Sequence, residues 1–251
     1  MVRRVKASLR HLRRSVAPPF WPIKRKEYTW TVKPSPGPHP LDNSIPLGII
    51  VRDVLGYAQT MKEARRIISS GKIIVDGKPV KDYKFPVGLM DVIHVPAEDK
   101  YFRVIPDPAR KLRLAEIKPD EAGLKIAQIR RKMTVSNGNI QFTLHDGRNI
   151  LVKKDSDLYQ KALSFKTYDA LLITIPQQTL QTHIPLDKGT LAIVYEGRNV
   201  GFLGTIQSIQ QVFKRARSLV ELKSLEGEIS RTILQYVLPV GTEKPLVTVK
   251  V

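Results

Sequence analysis

Cysteine is absent from the 251-residue chain. No disulfide, thiolate-held metal or thiol nucleophile can therefore form. Long apolar runs are missing as well. The longest, Leu47–Val51 and Ala170–Ile175, fall far short of the roughly 18 residues that a membrane-spanning helix needs. The opening residues are basic, and no apolar stretch of about 7–15 residues follows them, so neither a secretory signal nor a membrane partner is expected. Acidic side chains are scarce: 23 Asp and Glu stand against 42 Lys and Arg, a formal charge of +19 and a pI near 10.1. Such an imbalance points to a polyanionic partner, nucleic acid first. The five histidines (11, 39, 94, 145 and 183) are too far apart for a local metal-ligand spacing, and neither H-E-x-x-H nor G-x-S-x-G occurs. His145-Asp146 has the residue types of half a catalytic dyad, but adjacent side chains diverge and a turn follows at Gly147. No catalytic residue, metal, cofactor or small-molecule substrate is expected.

What the chain does carry is charge in one place. Residues 1–33 hold ten basic side chains against a single acid, Glu27, and so +9 of the total +19. Pro18-Pro19 and Pro22 lie in the same stretch, which reads as an extended arm that orders against a polyanion. Phe20, Trp21, Tyr28 and Trp30 interrupt the cations, and both tryptophans of the chain are among them. A merely solubilising tail has little use for such rings, whereas an arm on nucleic acid can stack them. Trp21 is the ring expected to do so, the alternative being that it folds back onto the domain that follows. Four prolines fall within Pro34–Pro40, making a hinge that also carries His39.

From Pro46 the periodicity becomes helical. Leu47, Ile50, Val51, Val54 and Leu55 describe an amphipathic helix with Pro46 in its first turn and Gly56 as its stop. Thr60 and Glu63 have the capping-box spacing for a second helix over 61–70. Met61, Ala64, Ile67 and Ile68 form its apolar face, and Lys62, Arg65, Arg66 and Ser69 the opposite one. Gly71 suits the position just past its end. Lys72–Val75 then reads as a strand, Asp76-Gly77 as a hairpin turn, Pro79-Val80 as the return and Gly88–Val95 as a further strand. Carried by Ala64–Ile68, Gly71–Val80 and Gly88–Ile93, this unit resembles the S4-type RNA-binding domain. Its cations Lys62, Arg65, Arg66, Lys72 and Lys78 are expected to converge as phosphate ligands.

Beyond about residue 105 short β runs alternate with turns at Asn137-Gly138 and Asp146-Gly147, the pattern of a small barrel or sandwich. Lys125, Arg130, Arg131 and Lys132 read here as solubilising charges. Leu191–Tyr195 followed by Gly197, Gly201, Gly204 and Thr205-Ile206 looks like a KOW motif, the strand–loop–strand core of SH3-like barrels. It is no P-loop, since no Lys-Ser or Lys-Thr follows and no βα unit surrounds it.

Taken in order, these features resemble the S4e family of small-subunit ribosomal proteins. The resemblance rests on His11–Arg14, Ala17-Pro18, Trp21, Ser35–His39 leading to Ile45–Leu47, Tyr83–Ile93, His145–Ile150, Asp187–Thr190 and the glycine motif. Pro36 departs from it, since Thr is expected there. The longer basic tail of eukaryotic members does not follow Val240-Gly241, which implies the archaeal form. The family implies a structural protein that binds and helps fold small-subunit ribosomal RNA, beside neighbouring ribosomal proteins in the cytoplasm, with no reaction catalysed. Two other classes share the S4-type domain: RNA-modifying enzymes, which need a large catalytic domain, and free translation factors, which the long arm argues against.

The fold class is α+β and multi-domain. It comprises a basic arm with its Pro-rich hinge (1–40), an S4-type RNA-binding unit (41–105), a central small β-barrel-like domain (106–186) and a C-terminal KOW/SH3-like barrel (187–251). The residues expected to meet RNA are Arg3, Arg4, Lys6, Arg10, His11, Arg13, Arg14, Trp21 and His39 of the arm and hinge. Lys62, Arg65, Arg66, Lys72 and Lys78 of the second unit join them, with Arg148 and Arg198 beyond.

Overall fold

Residues 11–40 do not extend away from the rest of the protein. In the computed structural model, which describes residues 11–211, 214–224 and 227–249, β1 (Leu12–Arg13) pairs antiparallel with β2 (Trp30–Thr31). Leu12, Ala17 and Trp21 are buried in the main core, and the Trp21 indole N–H donates to the Ser44 carbonyl at 2.8 Å. The expectation of a detached arm is thus corrected for residues 11–40. Ala17, Phe20, Trp21 and Ile23 supply apolar surface that packs at home. Arg3, Arg4, Lys6 and Arg10 lie outside the described residues.

β3 (Ser44–Pro46) leads into α1 (Leu47–Ile49), which widens at once into a π-type turn over Ile50–Val54. The Leu55 N–H reaches back five residues to the Ile50 carbonyl. That widening rotates the later positions, so Val54, which a regular helix would turn inward, is 41 % exposed, while Ile49, ahead of the widening, is buried. Pro46 caps the helix rather than sitting in its first turn. Helix α2 (Met61–Ser69) follows the sequence closely. Thr60 and Glu63 form the reciprocal capping box, Ala64 and Ile68 face inward, and Gly71 has φ +75°, the left-handed value that favours glycine.

β4 (Ile74–Val75) and β5 (Lys78–Pro79) flank a turn in which Asp76 and Gly77 both have positive φ, as an Asp-Gly hairpin requires. The strand expected over 88–95 is split into β6 (Pro86–Gly88) and β7 (Val92–Val95). β8 (Lys100–Asp107) and β9 (Lys111–Ile117) then extend the sheet, in the order β5-β4-β7-β8-β9. The sheet that begins in the two-helix unit therefore runs past residue 105 to Ile117.

After the short α3 (Pro119–Ala122), the eleven-residue β10 (Leu124–Thr134) is the centre of a second sheet. With β11 (Ile140–Leu144), β12 (Asn149–Val152), β13 (Ala170–Thr174) and β14 (Leu180–Ile184), its order is β12-β11-β10-β13-β14. Helix α4 (Leu158–Ser164) connects β12 to β13 and packs on β11 and β12. The third sheet comprises β15 (Leu191–Val194), β16 (Leu203–Gln210), β17 (Leu219–Lys223), β18 (Ile229–Ile233) and β19 (Val237–Gly241), in the order β18-β17-β16-β15-β19. At Gly204 a Cβ would lie 2.6 Å from the Lys223 carbonyl oxygen, so strand approach alone demands glycine there. Among the described residues no helix is long and apolar enough to cross a membrane.

Candidate nucleic-acid interface

The polar face of α2 is laid out by its spacing. With Ala64 and Ile68 inward, Lys62, Arg65 and Arg66 all stand exposed. Lys72, just past the helix, and Lys78, in the edge strand β5, are exposed as well. Of these five cations, Arg65 reaches a groove of about 790 Å³ between the β1–β2 segment and α2. Its guanidinium lies over the Tyr83 ring at 4.1 Å and donates to the Tyr83 hydroxyl at 2.9 Å. Across the groove, Trp30 and Tyr28 are 53 % and 63 % exposed. The His11 ring lies 5.6 Å from the indole of Trp30, and the Arg13 guanidinium sits over that indole at 5.9 Å. Among the described residues no carboxylate lines the groove. Two of the groove's cations are already paired with acids just outside it, Arg14 with Glu27 at 3.0 Å and Arg52 with Asp53 at 2.8 Å. Among the described residues no acid pairs with Arg65, which with the exposed rings makes a surface for phosphates and bases.

Three expected contact residues are turned inward. Trp21 is 4 % exposed, so the stacking role expected of it is corrected; its ring faces the protein core. Arg14 is 3 % exposed and donates to the Lys24 carbonyl and the Glu27 carboxylate. His39 is 6 % exposed, and its Nε2 lies 3.0 Å from Asp91. The ring packs so closely on Gly88 that a side chain there would collide with it.

His39 is the rim of a buried ionic cluster that the sequence reading missed. Lys125, expected to be a solubilising charge, is wholly buried. Its ammonium lies 2.7 Å from Asp76, 2.6 Å from Asp91 and 3.0 Å from Asp146. Arg148, another expected RNA contact, is half-buried and closes the cluster onto Asp76 at 2.5 Å and Asp146 at 3.3 Å. Burial alone would lower the Lys125 pKa, but the three carboxylates outweigh it and raise it above the ordinary lysine value. Burial likewise works to raise Asp91 and Asp146, and the facing cations overcome it, chiefly His39 and Lys125 for Asp91 and Lys125 for Asp146, so both are lowered. Beside them, burial pushes His145 down to about 4. Its Nδ1 accepts from the Gln128 N–H at 3.2 Å, leaving Nε2 to donate to the Leu89 carbonyl at 3.2 Å. Both ring nitrogens of His145 are thus committed to backbone, away from any catalytic partnership with Asp146.

The cluster joins the first two sheets: Asp76 and Asp91 come from the β4–β7 region, Lys125 from β10, and Asp146 and Arg148 from the β11–β12 turn. On the same strand Gln128 donates to the Val237 carbonyl of the third sheet at 2.7 Å, and Arg130 to the Tyr195 hydroxyl at 2.7 Å. Lys132 donates to three carbonyls at the end of α4. Arg131 remains exposed. Arg198 is exposed in a second groove of about 610 Å³ with Arg113 and Arg231, separate from the one that holds Arg65.

Sequence reasoning left Trp30, Tyr83, Arg52 and Lys84 out of the contact set, although all four line the first groove. For Trp30 a signal was present. Its neighbours Thr29, Thr31 and Lys33 are polar, whereas Trp21 is surrounded by Ala17, Pro18, Phe20, Pro22 and Ile23.

The family model described as Ribosomal family S4e matches residues 98–180. The RS4NT (NUC023) domain matches residues 6–42 and the S4 domain residues 49–93. The small ribosomal subunit protein eS4 of Ignicoccus hospitalis is 49% identical over 97% of this chain and 96% of its own length. The protein of the same name from Staphylothermus marinus is 50% identical over 95% of this chain and 94% of its own. The crystal structure of the 30S ribosomal protein S4e from Thermoplasma acidophilum aligns with a TM-score of 0.66 at 30% identity, over 80% of this chain and 97% of that one. Similarity of this extent, running through arm, two-helix unit and β sheets alike, means that the chain belongs to the ribosomal S4e family, in its archaeal form.

Proposed function

We propose that this protein is a structural constituent of the small ribosomal subunit, binding and stabilising small-subunit ribosomal RNA in the cytoplasm and catalysing no reaction. The observation that carries the proposal is the exposed cationic face of α2, Lys62, Arg65 and Arg66, set beside a groove with no lining carboxylate among the described residues. Neighbouring small-subunit proteins are the other partners. The C-terminal β unit serves as a KOW-type SH3-like barrel, a reading supported by Gly197 and Gly201, both at positive φ, and by the close approach at Gly204. Of the four units expected from sequence, the second, which its sheet extends to Ile117, is the principal RNA-binding element.

Phosphate contacts release counterions, so affinity for small-subunit RNA falls steeply with salt. Replacing Arg65 and Arg66 together by Glu is expected to weaken binding at least tenfold. The log–log salt slope should become shallower by about 1.4–1.8, the share of two contacts. Thermal stability should hardly change, since neither side chain is buried. In a lysate, the chain should comigrate with small subunits on a sucrose gradient. A double variant that binds like the parent protein, or a chain found only as a free pool, would overturn the proposal.

A further inference from the structure

We infer that the groove between the β1–β2 segment and α2 is a site for unpaired RNA, in which bases stack on Trp30 and Tyr28 while Arg65 holds a phosphate. The inference rests on the RNA-binding reading above and adds to it the kind of RNA taken. Two large rings stay more than half exposed within a protein that buries its other tryptophan at 4 %. An indole left in water among cations gains little from the fold itself. The ring is also supported: β2 is paired to β1, and the His11 ring and Arg13 guanidinium approach the indole within 6 Å.

Opposite, Arg65 is fixed by its stack and hydrogen bond on Tyr83. One of its five N–H donors is used there, and the others remain for phosphate oxygens. Rings flanked by oriented cations match single-stranded nucleic acid, whose bases are free to stack on aromatic side chains. A-form duplex cannot use these rings, because its bases are already stacked and its shallow minor groove presents edges and hydroxyls. The rings therefore select unpaired segments, and the cations of α2 serve either kind of RNA.

The test uses the full chain, a labelled oligouridine single strand of about ten nucleotides and a blunt RNA duplex with the same number of phosphates. Trp30→Ala is expected to lower affinity for the single strand about 5- to 150-fold, with an unchanged salt slope and unchanged duplex affinity. Trp30→Phe, which keeps a ring face, should recover most of the loss. Trp30→Leu, which keeps apolar bulk without a ring, should behave like alanine. Acrylamide quenching of the exposed tryptophan should fall when the single strand binds. The inference is overturned if Trp30→Ala binds the single strand like the parent protein, if duplex affinity falls in parallel, or if Leu substitutes as well as Phe. It is also overturned if Trp30 remains as accessible to acrylamide in the complex as in the free protein. A Lys62→Glu/Arg66→Glu variant, which leaves Arg65 and the groove's rings in place, reports in the same assay on RNA binding by α2 separately, so the two readings can fail independently.

Discussion

Trp21 and Trp30 lie in one cation-rich stretch and are expected to answer mutation in opposite ways. Trp21→Ala removes a ring buried in the main core and leaves the Ser44 carbonyl without its indole donor. A large-to-small change of this kind costs about 3–5 kcal/mol, and thermal unfolding should show it. Trp30→Ala deletes a ring that is 53 % exposed and should change stability by no more than about 0.5 kcal/mol, as surface substitutions do. Equal losses would mean that residues 11–40 do not pack as described. The difference was partly legible in sequence, since the neighbours of Trp21 are apolar and those of Trp30 polar. Counting charge over all of residues 1–33 averages that contrast away. The inward turn of His39 and Arg148 was not legible. It depends on Asp76, Asp91 and Asp146, which only the fold brings to them.

At the scale of elements, what could be read from sequence was what is encoded locally. The capping box at Thr60 and Glu63, the left-handed Gly71 and the Asp76-Gly77 turn each depend on residues within a few positions of one another. Thr60→Ala removes the side chain that accepts the Glu63 N–H, so α2 should lose about 1 kcal/mol. The polar face stays intact, and the salt slope for RNA should not change. A slope that shifts with this variant would show that α2 reorients rather than frays. The π-type turn after α1 left no mark in the apolar spacing, because a single extra residue in a turn alters register without altering composition. The extension of the first sheet to β9 was missed for a different reason. Strands β8 and β9 alternate poorly: β8 keeps Arg103 wholly buried against Glu121, so a charge sits where the pattern asks for an apolar side chain.

Across the whole molecule, β10 holds the three sheets in place through side chains that point to different partners. Lys125→Met would leave three carboxylates facing one another with only Arg148 and the His39 ring beside them. Losing one partner of a buried ionic group costs about 3–5 kcal/mol. The gap from the parent protein should narrow as pH falls, because carboxylates stripped of Lys125 bind protons more tightly in the folded than in the unfolded state. A gap independent of pH would mean that packing, not charge, carries the loss. In the parent protein His145 adds a second pH dependence. The folded state keeps it neutral down to about 4, while the unfolded chain takes up its proton near 6.5. Acidification across that window therefore favours unfolding, by at most about 1.4 kcal/mol per pH unit. His145→Gln should flatten the stability profile between those limits, and an unchanged slope would remove this histidine from the account. The buried cluster also has an order in time. Lys125 follows Asp76 by 49 positions and Asp91 by 34, so both carboxylates are synthesised before the ammonium they share. At about 5–20 residues per second, a nascent chain waits roughly 2–7 s between completing that pair of acids and receiving the lysine. Until Lys125 arrives, Asp76 and Asp91 lack the ammonium they share in the folded protein, so burying them early is disfavoured.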